Sequence, residues 1–184
     1  MAQFLNTTAA YSEIENIINR AEKKLVMVSP YVRLPRVLSQ KLFHAGQSRG
    51  VHVIIVCRKK DLLPDEHATF KKMSWLEVLD QPNLHAKCFY NEKSMVITSL
   101  NLHGSSLVSN REISVQLTRE SDPEAFHDAT AEVESMIQAC YKLEADKMLA
   151  SHRQKQPEEA VSFFDIEGGL RRSFPTFTKI LTHK

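Results

Sequence analysis

The stretch NLHAKCFYNEKSMVITSLNL, residues 83–102, followed by SNREISVQL at 109–117, decides the reading of this chain. It reads as strand, turn and strand, with Asn91-Glu92-Lys93 as a three-residue turn. A turn centred on Glu92 pairs His85 with Ser99 and Lys87 with Ile97. The two-residue period then puts His85, Lys87, Ser99 and Asn101 on one face, and Ala86, Cys88, Thr98 and Leu100 on the other. A solvated sheet face is one explanation of that polar set. Three features favour a site instead. A solvated face selects longer charged residues and Thr over His, Ser and Asn. The next strand brings Glu112 to a similar level. Together the set supplies a nucleophile, a cation, two neutral donors and a carboxylate, which is what a phosphate site needs.

Outward from the hairpin, the pattern predicts an α/β fold, a mixed central sheet flanked by helices. Thr7 and Thr8 are candidate caps for a helix through Lys23, with Ile14, Ile17, Ile18 and Ala21 at helical spacing. KLVMVSPYV (24–32) reads as a buried strand stopped by Pro30. A helix from Pro35 to Ser48 ends near Gly50. VHVIIVCR (51–58) is the strongest strand. Strand, helix and strand with near-continuous apolar strands predicts a βαβ unit. A short helix near His67–Met73 and the strand WLEVLD precede the hairpin. EISVQLT follows it, with Ile113, Val115 and Leu117 alternating. The last long helix takes Asp122 as N-cap and Pro123 as its first residue, with Phe126, Val133, Ile137 and Cys140 as its apolar stripe.

The 184 residues suit one domain over residues 1–150 with an appendage at 151–184. Residues 1–150 carry 18 basic and 18 acidic side chains, and the last 34 carry 6 and 4, so the net charge of +2 resides in the tail. Bulk charge therefore does not announce a nucleic-acid partner. The clusters Arg58-Lys59-Lys60, Lys71-Lys72 and Arg171-Arg172 read as solvated faces. Cys57, Cys88 and Cys140 read as buried thiols, neither a disulfide framework nor a zinc site. No apolar run approaches the roughly 20 residues of a membrane span, and the N-terminus lacks the pattern of a secretory signal. A cytoplasmic protein that does not engage membranes is expected. The tail holds four of the nine Phe (Phe163, Phe164, Phe174, Phe177), more than a free tail needs. It folds back on its own domain or docks on a larger protein partner.

H-x-K alone is common by chance. Followed by a strand, a turn, T-S-L-N and N-R-E, it resembles the signature of the phospholipase D superfamily, H-x-K-x4-D-x6-G-S-x-N with a downstream Glu. The likeness covers roughly residues 7–140 and extends to VSPYV and GVHVIIVCR. Two positions depart from it. The Asp is replaced, by Glu92 at the usual spacing or by Asn91 after a one-residue deletion. The Gly is Thr98, which crowds a spot where Gly lets a phosphate approach backbone. The resemblance implies that His85 attacks phosphorus to give a phosphohistidine, later cleaved by water. It implies that Lys87, Ser99 and Asn101 hold the non-bridging oxygens, and that Glu112 bonds the far imidazole nitrogen and fixes the tautomer. It implies no metal and no cofactor. The leaving oxygen needs an acid, which in this family is a second H-x-K histidine, and this chain has one such motif. The resemblance thus implies a homodimer with a shared site; His103 is the local alternative acid.

Among such relatives the small single-motif members are mostly nucleases. A metal-independent nuclease cutting DNA, or RNA, in a restriction or defence setting is the function expected. FKKMSW, with Lys71, Lys72 and Trp75, either tracks a strand or is a basic helix edge beside a buried Trp. Two other functions compete: a partner-activated or non-catalytic nucleic-acid-binding subunit, and a lipid or small-molecule phosphodiesterase.

Overall fold

Strands β2 (Lys24–Val28) and β4 (His52–Cys57) are almost wholly apolar because both their faces are covered. They lie at the centre of a seven-stranded sheet in a computed structural model that describes residues 1–103 and 110–155. Its other strands are β1 (Gln3–Asn6), β5 (Leu76–Asp80), β6 (Cys88–Tyr90), β7 (Ser94–Thr98) and β9 (Ile113–Thr118). The order is β1-β9-β7-β6-β2-β4-β5. β2, β4 and β5 run parallel, and β6 joins β2 antiparallel, which makes the sheet mixed as expected. A small second sheet pairs β3 (Val32–Arg33) with β8 (Leu102–His103).

Helices α1 (Thr7–Arg20) and α2 (Arg36–Phe43) cover one face. There Ile14, Ile17, Ile18 and Leu38 pack with Leu25, Met27, Ile55, Phe89 and Val96. Helix α4 (Pro123–Lys155) covers the other through Phe126, Val133, Ile137 and Cys140, the stripe read from its sequence. One polar tie accompanies that apolar face: Glu134 accepts from Lys24 Nζ at 2.6 Å and from Tyr90 Oη at 2.7 Å. Helix α3 (Pro64–Phe70) begins earlier than expected, at the proline whose fixed φ suits a first turn.

Several expectations need correction. The cap of α1 is Asn6, whose side chain accepts from Ala9 N at 3.0 Å, and neither Thr7 nor Thr8. The helix stops at Arg20. From His44 the second helix widens into a π-turn, and Gly50 leaves it with a φ of 70°. β1 was not expected, being four residues long with one buried side chain. The hairpin register is shifted by one: Cys88 faces Ile97 and Tyr90 faces Met95, so four residues turn the chain. The cause is Asn91, whose Oδ1 accepts from Lys93 N at 2.8 Å and Ser94 N at 3.0 Å. In β9 Ser114 and Leu117 are buried, whereas Ile113 and Val115 are exposed.

Trp75 sits against the core, with Phe43 edge-on at 6.2 Å between centroids. A Cβ on Gly46 would fall 2.1 Å from its ring, so glycine is required there. Trp75 is half-buried, closer to the packing reading of FKKMSW than to an exposed strand-tracking ring. Cys57, Cys88 and Cys140 are buried and form no disulfide, and burial pushes the Cys57 and Cys88 thiols up to about 12. They are therefore inert packing residues. Among the described residues no helix is long and apolar enough to cross a membrane. The chain divides into Met1–Lys142 and Leu143–Lys184. The expectations for the Phe-rich tail and its docking fall on residues outside those described.

Candidate active site

The segments that carry His85, Lys87, Ser99, Asn101 and Glu112 meet at one end of the sheet. Strand direction dictates this: β2 and β4 deliver their carboxyl ends there, β6 its start, β7 its end and β9 its start. Carboxyl ends of parallel strands are where open α/β sheets bind ligands. β6 begins only at Cys88, so His85 and Lys87 occupy the irregular lead-in to the strand. Thr98 N donates to the Lys87 carbonyl at 3.1 Å, which sets Lys87 level with the end of β7. His85 and Ser99 are exposed, and Lys87, Asn101 and Glu112 are half-buried.

Ser99 is held by β9. Its backbone N–H donates to the Ile113 carbonyl at 3.1 Å, and its Oγ accepts from Ile113 N at 3.2 Å and donates to Glu112 Oε2. Glu112 is fixed in turn by Thr7, whose Oγ1 accepts from Glu112 N at 2.8 Å. The expectation that Glu112 bonds the imidazole is thus not met. With the Ile113 amide filling a lone pair, the Ser99 proton goes to the carboxylate beside it. Asn101 leads into β8, whose Leu102 N donates to Ser29 Oγ at 3.1 Å. The buried Asn101 Oδ1 has no hydrogen-bond partner among the described residues.

What touches the imidazole is Arg58. Its Nη2 lies 3.0 Å from His85 Nε2. Its Nε donates to the Leu84 carbonyl at 2.8 Å, and Nη1 donates to Tyr31 Oη at 3.1 Å and faces Asp61 at 3.8 Å. The guanidinium also stands 5.3 Å from the Tyr31 ring centroid, and the Arg58 side chain is only 13% exposed. Sequence reading passed over Arg58 as part of a solvated basic cluster. The available signal was its place, one residue past the carboxyl end of the strongest parallel strand. Strand β8 ends on His103, whose side chain lies outside those described.

The departures from the signature have clear local roles. Glu92 spans from the hairpin to the α1–β2 turn, where its carboxylate accepts from the backbone N–H groups of Glu22 (3.2 Å), Lys23 (2.7 Å) and Lys24 (2.5 Å). Burial alone would raise its pKa, but these donors outweigh it and hold the carboxyl below its ordinary value. Asn91 shapes the hairpin turn and donates to the Ile17 carbonyl at 2.8 Å. Thr98 exchanges a 2.6 Å hydrogen bond with Ser114 Oγ and accepts from Leu100 N at 2.9 Å. The two residues proposed to stand in for the missing Asp thus share turn-building work.

Among curated proteins nothing matches. The fold is similar to that of NucT from Helicobacter pylori (TM-score 0.65, 16% identity, covering 76% of this chain and 97% of that one). It is likewise similar to Nuc from Salmonella typhimurium, a phospholipase D family member (0.61, 17%, 77% and 94%). A third likeness is to TrmBL2, an archaeal chromatin protein described as showing a novel mode of DNA binding (0.54, 14%, 77% and 52%). The family model described as "Cardiolipin synthase, PLD-like domain" matches residues 14–137, and on that match, over most of the described fold, the chain belongs to the phospholipase D-like family of phosphodiester-acting proteins.

Proposed function

We propose that the protein is a metal-independent nuclease that cleaves DNA, or RNA, through a phosphohistidine at a site completed by a second copy of the chain. One observation supports the reading: the segments that carry His85, Lys87, Ser99 and Asn101 meet at one sheet end, where Asn101 Oδ1 is buried without a hydrogen-bond partner among the described residues. His85 Nε2 forms the P–N bond as the P–O bond to the leaving strand breaks, and an acid protonates the departing oxygen. Water then attacks phosphorus, losing its proton to that same group, and the P–N bond breaks to restore His85. Lys87, Ser99 and Asn101 meet the non-bridging oxygens, and Glu112 acts through Ser99, whose hydroxyl it orients.

The acid is the second subunit's His85. Support for the dimer comes from an apolar strip beside Ser99. Phe4, Val115 and Ile97 stand in register across β1, β9 and β7, with Ile113 two residues along β9. They are 67%, 41%, 43% and 67% exposed. A nucleic-acid backbone gains little from such a surface, whereas a second copy buries it and supplies the missing histidine. DNA is favoured over lipid by the likeness to the DNA-binding TrmBL2; the cardiolipin synthase description of the family model points the other way.

The test is cleavage of plasmid and single-stranded DNA in excess EDTA by the wild type and His85→Ala. Chelator-resistant cutting that the substitution lowers by about 10³-fold or more supports the reading. Turnover of a chromogenic phosphodiester without nucleic-acid cleavage favours a lipid or small phosphodiester. No turnover of either favours a partner-activated or binding subunit. Sedimentation of Ile113→Glu tests the dimer separately, with a shift to monomer expected and an unchanged dimer excluding this face.

A further inference from the structure

We propose that Arg58 is a positioning residue of this site: it holds His85 in the tautomer whose Nε2 lone pair attacks, and it yields that lone pair to the incoming phosphate. The inference rests on the phosphohistidine reading above. A guanidinium carries only N–H donors, so at 3.0 Å from Arg58 Nη2 the His85 Nε2 must accept, and the ring proton of the neutral imidazole sits on Nδ1. Among the described residues Glu112 is bonded to Ser99 through Oε2, and the hydrogen bond to the imidazole comes from Arg58. Arg58 therefore does the orienting that the signature alone would assign to the carboxylate.

The arginine is built for aim. Nε is tied to the Leu84 carbonyl, and Nη1 to Tyr31 Oη and Asp61, which leaves Nη2 pointed at the ring. The Leu84 tie matters because His85 precedes β6 and has no strand ladder of its own. One residue thus fixes both the backbone before the nucleophile and the nitrogen it presents. When a phosphate reaches Nε2, the displaced Nη2–H is left beside the non-bridging oxygens and can donate to one of them, as a guanidinium readily does.

The tautomer can be read directly from ¹⁵N shifts of the histidine-labelled full chain near neutral pH, with His85 assigned by comparison with His85→Gln. The wild type should show His85 protonated at Nδ1. Arg58→Gln should move the proton towards Nε2 and lower kcat about 10²-fold, with KM changed less than threefold. Arg58→Lys should recover part of the rate, because it keeps a donor but loses the fork. Tyr31→Phe should have a smaller effect in the same direction. A wild-type His85 protonated at Nε2 overturns the proposal even if no Arg58 variant folds. So does an Arg58→Gln protein with unchanged tautomer and kcat. Cleavage surviving in His85→Ala would instead sink the nuclease mechanism, and the ¹⁵N result would stand apart from it.

Discussion

The β6–β7 hairpin has two polar ends, and they are built on opposite principles. At the turn, Asn91 is 2% exposed and both its amide nitrogen and its oxygen are bonded within the chain; Glu92 collects three backbone donors. At the other end, Asn101 Oδ1 is buried without a partner among the described residues, His85 is exposed, and the neighbouring Ile97 and Ile113 face outward. Buried polar groups are normally satisfied, because an unmade hydrogen bond costs about 1–3 kcal/mol. The turn obeys that rule and holds the fold together. The open end breaks it, which is where a ligand is expected to complete the bonding.

This contrast predicts that substitutions at the open end alter activity and spare stability, while those at the turn do the reverse. After the loss of His85 itself, the largest effect should come from Lys87→Met, lowering cleavage by about 10²–10³-fold with an unchanged melting temperature. A melting temperature that falls in step with activity would break the contrast. Asn91→Ala should cost about 3 kcal/mol in urea denaturation, since it strands buried donors and an acceptor, while activity per folded molecule is kept.

Glu92→Gln should cost about 1–2 kcal/mol at neutral pH, a modest figure because the half-buried carboxylate keeps partial contact with solvent. The sign of its pH dependence is set by the lowered pKa. The wild-type advantage is fully present above the ordinary glutamate range and is lost as pH falls through the depressed folded value. Melting temperatures at pH 7 and pH 3 should therefore converge for the two proteins. The smallest effect on stability belongs to Asn101→Leu, which removes the unpaired oxygen. It should be neutral or stabilising by up to about 1 kcal/mol while activity collapses. Marked destabilisation would mean that Asn101 serves the fold instead.

Much of the fold was legible because its signals are local and strong. The apolar runs of β2 and β4 and the Phe126–Cys140 stripe of α4 read directly as parallel strands and a covering helix, and both were observed. The apolar alternation of Ile113, Val115 and Leu117 gave the strand but not how far its face is covered: the three share one face, and only Leu117 is packed into the core. Within the site, spacing singled out His85, Lys87, Ser99, Asn101 and Glu112, and the sheet brings their segments to one end. It did not give their bonding. The partner of Glu112 is Ser99, and the partner of His85 is an arginine 27 residues away in sequence.

The sequence by itself determined the family pattern, the helix and strand order and the residue types available for phosphate chemistry, because these follow from composition and spacing along one chain. Only the tertiary structure decided the hairpin register, the stapling role of Glu92, the outward apolar strip beside Ser99 and the approach of Arg58 to His85. Those depend on how distant segments meet, and a one-residue turn choice made by Asn91 was enough to change which side chains face each other.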